Sequence, residues 1–404
     1  MNATLSARAV NLAPSATNRA TQRARQLRND GADIVTMTVG EPDFATPDHV
    51  TDAAHLAMRH GHTRYTDVTG IDTLKQVIAE TYRQQHQLDV AMDEIIVSNG
   101  AKQVIFNAIL ALIEPGDEVV IPTPAWVSYS QMVTFACGRP ILVPARLDDS
   151  FAPDPERLAQ AMSPNTKLII LNSPCNPTGG IATTETIDAI CALVDRHPNV
   201  MLICDDVYEH IRFTRDPPPH PLRDVPELRQ RVVAVNSVSK AHAMTGWRIG
   251  WGVGARDIVT AMARIQSHST SNANSIAQHA AVAALTGPQD HLATRADTYR
   301  RRRDLALDIL AATQSIHSPT PDGAFYLYLA TPSVLGARTP SGTVINNDID
   351  LVDYLIDHGV ATVPGTAFGW SPAFRISTAT DDSTLHTGCE RIVQAIEQLN
   401  CNDT

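Results

Sequence analysis

The alternation of short apolar runs with longer stretches of helical periodicity is the feature that most constrains how this chain can fold. The candidate strands lie in 93-DEIIVSNGAKQ, 115-PGDEVVIPTP, 167-KLIILNSP, 200-VMLICDD, 232-VVAVNSVSK and 247-WRIGWGVGA. The candidate helices are 103-QVIFNAILALI, 126-WVSYSQMVTFA and 183-TTETIDAICALVDRH. Strands that are apolar throughout are typical of a sheet covered on both faces. The pattern therefore predicts an α/β fold in which helices sandwich a mainly parallel central sheet.

The second part of the chain has a different organisation. From about residue 256 the sequence turns helical through 297-DTYRRRRDLALDILAAT, and strands and helices follow from 323-GAFYLYL to 392-IVQAIEQL. We expect a large domain over 48–295 and a smaller α+β domain formed by 1–47 together with 296–404. The segment 332-PSVLGARTPSGTVINND has the composition of an insertion loop. The arginines Arg300 to Arg303 are expected on a solvated helix face rather than in a phosphate site.

Charge and cysteine spacing limit the expected partners. The 404 residues carry a net charge of -11 with a pI near 5.7, so no nucleic-acid or anionic-membrane surface is expected. The six cysteines form no C-x-x-C pair, which indicates reduced thiols rather than a disulfide or zinc framework. The N-terminus lacks a signal-peptide pattern, and no apolar run reaches the roughly 18 residues of a membrane span. These features predict a cytoplasmic protein without a metal site.

Polar side chains follow four of the predicted strands at the point where each strand ends. The four clusters are 98-SNGAK, 172-NSPCNPTGG, 205-DDVYEH and 236-NSVSK. In an open α/β sheet, ligands bind at the carboxyl edge of the strands. Four such clusters at one edge predict a single ligand pocket.

Lys240 is the candidate reactive group of this pocket. A lysine in a low-dielectric site can form a Schiff base with an aldehyde and can transfer protons as a neutral amine. A lone lysine more often lies on a surface loop, but Ser237 offers a hydroxyl and Arg248 a bidentate fork suited to phosphate. The backbone N–H groups of Ala101 and Lys102, at the start of a predicted helix, favour the same anion.

Two charged residues lie in apolar strand patterns, where a buried charge needs a partner of opposite charge or a hydrogen-bond partner. Asp205 ends an apolar strand and would be costly to bury without a cation such as a protonated ring nitrogen. A helix-capping role for Asp205 is equally compatible with the sequence. Arg375 lies inside the apolar strand pattern 373-AFRIS and requires a carboxylate, from either an ion pair or a substrate.

Further residues could contact a flat aromatic ligand held by Asp205. Tyr208 and Asn176 could reach a phenolic oxygen on such a ring. Trp126 could stack on it, although a tryptophan in this context is usually core packing. The glycines of 250-GWGVG-254 lack the spacing of a dinucleotide-binding loop, so that interpretation is rejected.

Several stretches together resemble one enzyme family, over nearly the whole chain from 14-PSAT-17 to the final helix. They are 39-VGEPDFATPDHV, 63-TRYTDVTGI, 126-WVSYSQMV, 172-NSPCNPTGG, 205-DDVYEH, 240-KAHAMTGWRIGW and 364-PGTAFG. The set resembles the class I/II aminotransferases of fold type I, which depend on pyridoxal 5'-phosphate. Within them, it is most similar to bacterial aspartate aminotransferases of the aspartate/prephenate branch.

The resemblance implies a role for each residue of the predicted pocket. Lys240 would bind the cofactor covalently and act as the catalytic base. Other cofactor contacts would come from Asp205 at the ring nitrogen, Tyr208 and Asn176 at the phenolic oxygen, Trp126 over the ring, and Ala101, Lys102, Ser237 and Arg248 at the phosphate. Tyr65 would reach the phosphate of a neighbouring subunit, which implies a homodimer with shared active sites. The substrate would be bound by Arg375, Asn176, Trp126 and Gly40 at its α-carboxylate and by Thr17 and Lys102 at its side-chain carboxylate.

The implied reaction is ping-pong transfer of an amino group from an L-amino acid, with aspartate as the leading donor, to 2-oxoglutarate. Close relatives often have a basic residue at Ala13, an aromatic at Ala125, Gly-Gly-Lys at 100-GAK-102 and Asn-Pro at Asn272-Ala273. We expect Ala125 to enlarge the pocket. These departures keep open a second reaction on the same cofactor, namely elimination, cyclisation or oxidation of a specialised, for example basic, amino acid.

Overall fold

The strands and helices were located in a computed structural model that describes residues 5–10, 12–14 and 16–400. The strands are β1 (Val35–Thr36), β2 (Ile95–Ser98), β3 (Glu118–Thr123), β4 (Arg139–Pro144), β5 (Thr166–Asn172), β6 (Met201–Asp205), β7 (Val232–Ser237), β8 (Gly250–Val253), β9 (Tyr326–Ala330), β10 (Val360–Ala361), β11 (Val363–Pro364) and β12 (Ala373–Ser377). Ser15, Cys401 and the terminal residues of the predicted small domain lie outside the described part of the chain.

Helices connect most of these strands. They are α1 (Ala7–Val10), α2 (Ala16–Asn29), α3 (Asp48–Arg59), α4 (Asp72–His86), α5 (Ala101–Leu112), α6 (Ser128–Phe135), α7 (Pro155–Ala161), α8 (Thr184–Arg196), α9 (Pro221–Asp224), α10 (Arg256–Ser267), α11 (Ser275–Thr286), α12 (Asp290–Leu310), α13 (Asp348–Asp357) and α14 (Asp382–Glu397). Several begin at side-chain caps; Thr183, for example, accepts a hydrogen bond from the backbone N–H of Thr186 at the start of α8. Within the described residues, no helix is long and apolar enough to cross a membrane.

The central sheet has seven strands in the order β2-β8-β7-β6-β5-β3-β4. Every neighbouring pair is parallel except the two that involve β8, which is antiparallel to both β2 and β7. The mainly parallel sheet agrees with the sequence-based prediction. The edge strand β4 was not predicted, although its sequence contains the short apolar run Ile141 to Val143; of its residues only Val143 is buried.

Residues of the inner strands alternate between two buried layers, one on each face of the sheet. In β5, Ile169 and Leu171 pack in one layer, whereas Leu168 and Ile170 pack in the other. Helices α3, α4, α8 and α11 contribute to the first layer, and α5, α6 and α10 contribute to the second. Because both faces are covered, the strands need apolar residues at every position, which explains the absence of period-two alternation.

A second, three-stranded sheet follows in the order β11-β12-β9, with antiparallel pairing. Its apolar residues pack with those of α13 and α14 in a separate buried cluster. The N-terminal segment joins this part of the chain, because β1 pairs in parallel with β10 through Val35 and Val360. The predicted insertion loop over 332–348 contains one short 3-10 turn, Pro332–Val334, and is fixed by the buried side chains of Val334 and Ile345.

The predicted solvated face of Arg300 to Arg303 is wrong for Arg302, which is only 7% exposed. Its guanidinium donates hydrogen bonds to Asp43 at 3.0 Å and to Asp382 at 2.9 Å. It also lies 5.8 Å from the ring of Phe44. A run of four arginines spans more than one helical turn, so one of them must point toward the packed side of α12. Arg302 thereby ties the N-terminal segment to α12 and α14.

Candidate active site

The polar clusters that follow the strands lie at one edge of the central sheet. In the sheet register, Asn172 is opposite Asp205, and both Ser98 and Ser237 are opposite Gly250. A cavity of about 350 Å³ opens at this edge. Twelve of the predicted site residues line it: Thr17, Gly40, Ala101, Lys102, Trp126, Asn176, Asp205, Tyr208, Ser237, Lys240, Arg248 and Arg375.

Tyr65 is the predicted site residue that does not line this cavity. Its side chain is 90% exposed, and it lies between α3 and α4. An aromatic side chain this exposed makes little contact within its own chain, so the cavity of this chain is formed without Tyr65.

Lys240 follows β7, and its amine is held inside the cavity. The Nζ atom donates a hydrogen bond of 2.6 Å to the backbone carbonyl of Gly40 and lies 5.8 Å from the centre of the Tyr208 ring. Removal from water lowers the pKa of Lys240 to about 8, and the positive charge of Arg375 acts in the same direction. At pH 7 about a tenth of the amine is therefore neutral, far more than for a lysine in water, and the neutral form is the one that can act as a nucleophile or base.

Asp205 ends β6 and is only 4% exposed. Burial raises the pKa of its carboxyl to about 6, while a hydrogen bond from Tyr129 opposes that rise. The Tyr129 hydroxyl donates to Oδ2 of Asp205 at 2.5 Å. Burial also raises the pKa of Tyr129 well above its usual value, so the hydroxyl keeps its proton. Asp205 is thus a buried anion at neutral pH, with one strong donor from the protein, and no helix follows it to be capped.

Tyr129 was missed by the sequence-based reasoning. It lies in α6, within the matched stretch 126-WVSYSQMV, and its ring meets that of Trp126 edge-on at 5.2 Å. Tyr326 was missed as well: its hydroxyl is 2.8 Å from the Tyr208 hydroxyl, and it lies on β9. Neither tyrosine is marked by local sequence, because each reaches the site only through the packing of its helix or strand.

Arg248 does not lie on a strand, contrary to the sequence-based interpretation. It precedes β8 by two residues and adopts the left-handed backbone conformation, with φ of 58°. Because β8 runs opposite to its neighbours, its first residue lies at the edge where the other strands end, and Arg248 is delivered to the cavity. The guanidinium donates to the carbonyls of Thr245 at 2.7 Å and Asn99 at 3.2 Å.

The start of α5 forms a close cradle with Arg248. Gly100 has a φ of 83°, which disfavours any other residue, and a Cβ atom there would displace the Arg248 guanidinium, whose nearest nitrogen would be 2.3 Å away. Ala101 and Lys102 line the cavity in the first turn of α5, where helical N–H groups have no intrahelical acceptors. Burial lowers the pKa of Arg248, and none of the described carboxylates forms an ion pair with it. An anion is the group that this cradle suits.

Arg375 is buried at 2% exposure in the middle of β12. It donates to Oδ1 of Asn176 at 2.8 Å and to the carbonyl of Thr38 at 2.6 Å. Its Nε atom has no hydrogen-bond partner in the described structure. The rings of Tyr326 and Phe368 lie 4.4 Å and 5.0 Å from the guanidinium carbon.

Arg375 therefore has neutral acceptors and aromatic neighbours but no carboxylate among the described residues. The sequence left open whether Arg375 pairs with a carboxylate of the protein or with one of a substrate. In the described part of the chain, no carboxylate of the protein pairs with it. A buried guanidinium without a counter-charge is expected to bind an anionic ligand.

Lys102 and Trp126 lie next to each other in the lining of the cavity. The Lys102 Nζ atom lies 4.8 Å from the Trp126 ring, and burial, followed by the charge of Arg248, lowers its pKa. Ala125 does not enlarge this cavity, contrary to expectation. It lines a neighbouring cavity of about 260 Å³ together with Phe151 and Cys175.

The charges that line the cavity match pyridoxal 5'-phosphate and an acidic substrate. Four cationic side chains, Lys102, Lys240, Arg248 and Arg375, face two carboxylates, Glu41 and Asp205. The chain as a whole carries a net charge of -11, so the cationic excess is local to this site. The unpaired Arg248 suits a phosphate, buried Asp205 suits a protonated ring nitrogen, and the Lys240 amine suits an aldehyde.

Comparison with known protein families identifies the family of the chain. The family model of class I and II aminotransferases matches residues 32–392. The chain belongs to this family. The resemblance inferred from the sequence motifs is thereby confirmed, and this aminotransferase is a pyridoxal-phosphate-dependent transferase of fold type I.

Individual relatives of this aminotransferase cover nearly all of it. An aspartate aminotransferase of Rhizobium meliloti (strain 1021) is 44% identical over 94% of this chain and 92% of its own length. An aspartate/prephenate aminotransferase of Cereibacter sphaeroides is 44% identical over 94% of this chain and 95% of its own. Among solved structures, the aspartate aminotransferase of Rhizobium meliloti has a TM-score of 0.95 at 42% identity, covering 99% and 100% of the two chains. The Thermus thermophilus enzyme with maleate has a TM-score of 0.91 at 37% identity, covering 98% and 100%.

Proposed function

We propose that this aminotransferase moves the amino group of L-aspartate to 2-oxoglutarate. The observation that carries the proposal is the presence of two separate cationic groups, Arg375 and Lys102, in one cavity. Both substrates are dicarboxylates, so each can occupy two cations at once. The names of the relatives support this choice, since they are called aspartate or aspartate/prephenate aminotransferases. Maleate, which accompanies the Thermus enzyme, is also a dicarboxylate.

The cavity residues would divide between cofactor and substrate. The cofactor, when bound, supplies an aldehyde and a ring that withdraws electrons from the substrate carbon. Its phosphate would be held by the first turn of α5 at Ala101 and Lys102, with Ser237 and Arg248. Asp205 would pair with the ring nitrogen, Tyr208 and Asn176 would contact the phenolic oxygen, and Trp126 would stack on the ring.

Lys240 is proposed as the group that binds the cofactor and then carries the proton. Its pKa of about 8 gives a neutral amine in sufficient amount to accept a proton from the substrate α-carbon. The ammonium group so formed would then donate that proton to the cofactor carbon that carried the aldehyde. The Gly40 carbonyl, 2.6 Å from Nζ, would stabilise the protonated form.

Arg375 and Asn176 would orient the substrate. The hydrogen bond between them fixes the guanidinium plane, and the flanking rings of Tyr326 and Phe368 restrict it further. The α-carboxylate would bind there, with Trp126 and the backbone of Gly40 nearby. The side-chain carboxylate would bind Lys102 and Thr17. Binding both carboxylates would hold the substrate in one orientation, with its α-hydrogen in a fixed direction relative to Lys240. This orientation contributes to catalysis.

The assembly, location and domain limits belong to the same proposal. A homodimer with shared sites would give the exposed Tyr65 a cofactor phosphate to contact in the neighbouring subunit. The five cysteines in the described residues are free, which supports a reducing, cytoplasmic location. A large domain over 48–295 and a small domain from 1–47 and 296–404 are supported by the separate second sheet and the β1–β10 pairing.

Product analysis distinguishes transamination from elimination, cyclisation or oxidation. The cationic excess of the cavity disfavours a basic amino acid. We expect mass spectrometry to show at most one oxaloacetate per chain from aspartate alone, and continued oxaloacetate formation together with glutamate only when 2-oxoglutarate is supplied. Ammonia, peroxide or a cyclic product formed from an amino acid without any oxo acid would instead support the alternative reaction.

A further inference from the structure

A buried polar network lies behind the cavity, centred on Glu209. This residue follows Tyr208 directly and is only 8% exposed. Its Oε1 atom accepts a hydrogen bond of 2.6 Å from the side-chain amide of Asn236. Its two carboxylate oxygens also lie 3.2 Å from Nε2 of His210 and 3.3 Å from Nε2 of His86. His210 is the next residue in the sequence, whereas Asn236 lies on β7 and His86 lies at the end of α4.

The network continues from Asn236 to the cavity. Asn236 lies on β7, and its Oδ1 atom accepts a hydrogen bond of 2.7 Å from the backbone N–H of Ser237. The Ser237 hydroxyl in turn accepts a hydrogen bond of 3.2 Å from the backbone N–H of Ser239. Ser237 and Ser239 both line the cavity, and Lys240 is the next residue. An unbroken series of hydrogen bonds therefore joins Glu209 to the turn that carries Lys240.

The charge of Glu209 is maintained despite its burial. Burial raises the pKa of this carboxyl, but the adjacent His210 and His86 outweigh that effect and hold the pKa well below its usual range. A carboxylate is a stronger acceptor than a neutral oxygen, so it restrains Asn236 more firmly. The backbone of Glu209 is held as well, by hydrogen bonds to Asp206 at 2.9 Å and from Arg212 at 3.1 Å.

We propose that Glu209 is a positioning residue for the cofactor site. It links two segments that both supply site residues: the segment after β6, with Asp205 and Tyr208, and the end of β7, with Ser237 and Lys240. Through Asn236 it fixes the backbone at Ser237 and hence the direction of the Ser237 hydroxyl. The inference rests on the proposed assignment of Ser237 to the cofactor phosphate.

The test is the dissociation constant for pyridoxal 5'-phosphate, measured by absorbance titration of the full chain after cofactor removal. The variants are Glu209→Ala, Glu209→Gln, Asn236→Ala and the double variant Glu209→Ala with Asn236→Ala. Glu118→Gln is the matched control, because Glu118 is also buried and paired, with Arg139, but lies where β3 begins, at the opposite edge of the sheet. Melting temperature of each cofactor-free variant is recorded alongside.

We expect Glu209→Ala and Asn236→Ala each to raise the dissociation constant about tenfold, and the double variant to raise it no further than the larger single effect. Glu209→Gln, which keeps an oxygen for Asn236, should recover most of the affinity. Glu118→Gln should lower the melting temperature without changing the dissociation constant. Asn236→Ala interrupts the same link and keeps the question answerable even if Glu209→Ala does not fold.

The inference is overturned if Glu209→Ala and Asn236→Ala bind the cofactor as tightly as the wild type while their melting temperatures fall, because that result describes purely structural residues. Additive effects in the double variant would also overturn it. Failure of the proposed function gives a different result: the dissociation constants would follow the expected pattern, while the wild-type enzyme would form no oxaloacetate and glutamate from aspartate and 2-oxoglutarate.

Discussion

The hydroxyl of Tyr129 donates a 2.5 Å hydrogen bond to the buried carboxylate of Asp205. Tyr129 lies on α6 and Asp205 at the end of β6, so the bond fixes a helix on one face of the sheet to the centre of its carboxyl edge. The bond favours the ionised form of a carboxyl whose pKa burial raises to about 6. Asp205 can therefore serve as the counter-charge of a protonated ring nitrogen at neutral pH.

The first prediction concerns the Tyr129→Phe substitution. It removes a donor to the ionised carboxylate, so the pKa of Asp205 should rise further above its present value of about 6. Activity that needs the anion is lost as pH falls through this pKa, and the acid limb of kcat/KM against pH should move upward by about one unit. Tyr354→Phe is the control, because that tyrosine donates to the carbonyl of Ala395 instead. An acid limb that stays in place would contradict the role given to Tyr129.

The second prediction concerns Arg375→Lys. A lysine cannot maintain the hydrogen bonds to Asn176 and Thr38 together with bidentate binding of a carboxylate. We expect KM for both the amino acid and the oxo acid to rise, with kcat/KM falling about 100-fold, which corresponds to ~2.7 kcal/mol. Arg139→Lys is the matched control, because Arg139 pairs with Glu118 away from the cavity. A change in kcat alone, with both KM values unaltered, would show that Arg375 does not bind the substrates.

Many of these features were predictable from the sequence, because they depend on local pattern. Continuous apolar runs gave the sheet, and polar residues at strand ends gave Asp205 and Lys240. The position of Arg248 was not predictable, since the reversed direction of β8 is a property of the whole sheet. The burial of the Arg302 side chain was not predicted, because its partners Asp43 and Asp382 are distant in sequence.

The third prediction concerns side-chain specificity. Lys102→Ala removes the cation beside Trp126 but leaves the backbone N–H groups at the start of α5. The ratio of kcat/KM for aspartate over that for alanine should fall by about 10- to 100-fold, since alanine has no second carboxylate. Thr17→Val should lower the same ratio to a smaller extent. The cofactor dissociation constant is the control and should remain unchanged. An unaltered ratio would remove Lys102 from the substrate site.

The fourth prediction concerns Tyr65. If this exposed residue completes the site of a neighbouring subunit, mixing inactive Lys240→Ala chains with Tyr65→Ala chains creates one site that has both wild-type residues. After unfolding and refolding together, the mixture should show more activity than either variant alone, measured at equal total protein. Separately refolded and then combined samples are the control. No gain on co-refolding would place Tyr65 outside the shared site.

The half-reaction tests most directly whether this cavity transfers an amino group from aspartate through Lys240. Enzyme loaded with pyridoxal 5'-phosphate and mixed with L-aspartate alone should lose the visible absorption of the aldehyde form and release one oxaloacetate per subunit. Adding 2-oxoglutarate should restore the absorption, whereas Lys240→Ala should show neither change. A loaded wild-type enzyme whose absorption does not respond to aspartate, or which releases ammonia instead of retaining the amino group, would contradict the account.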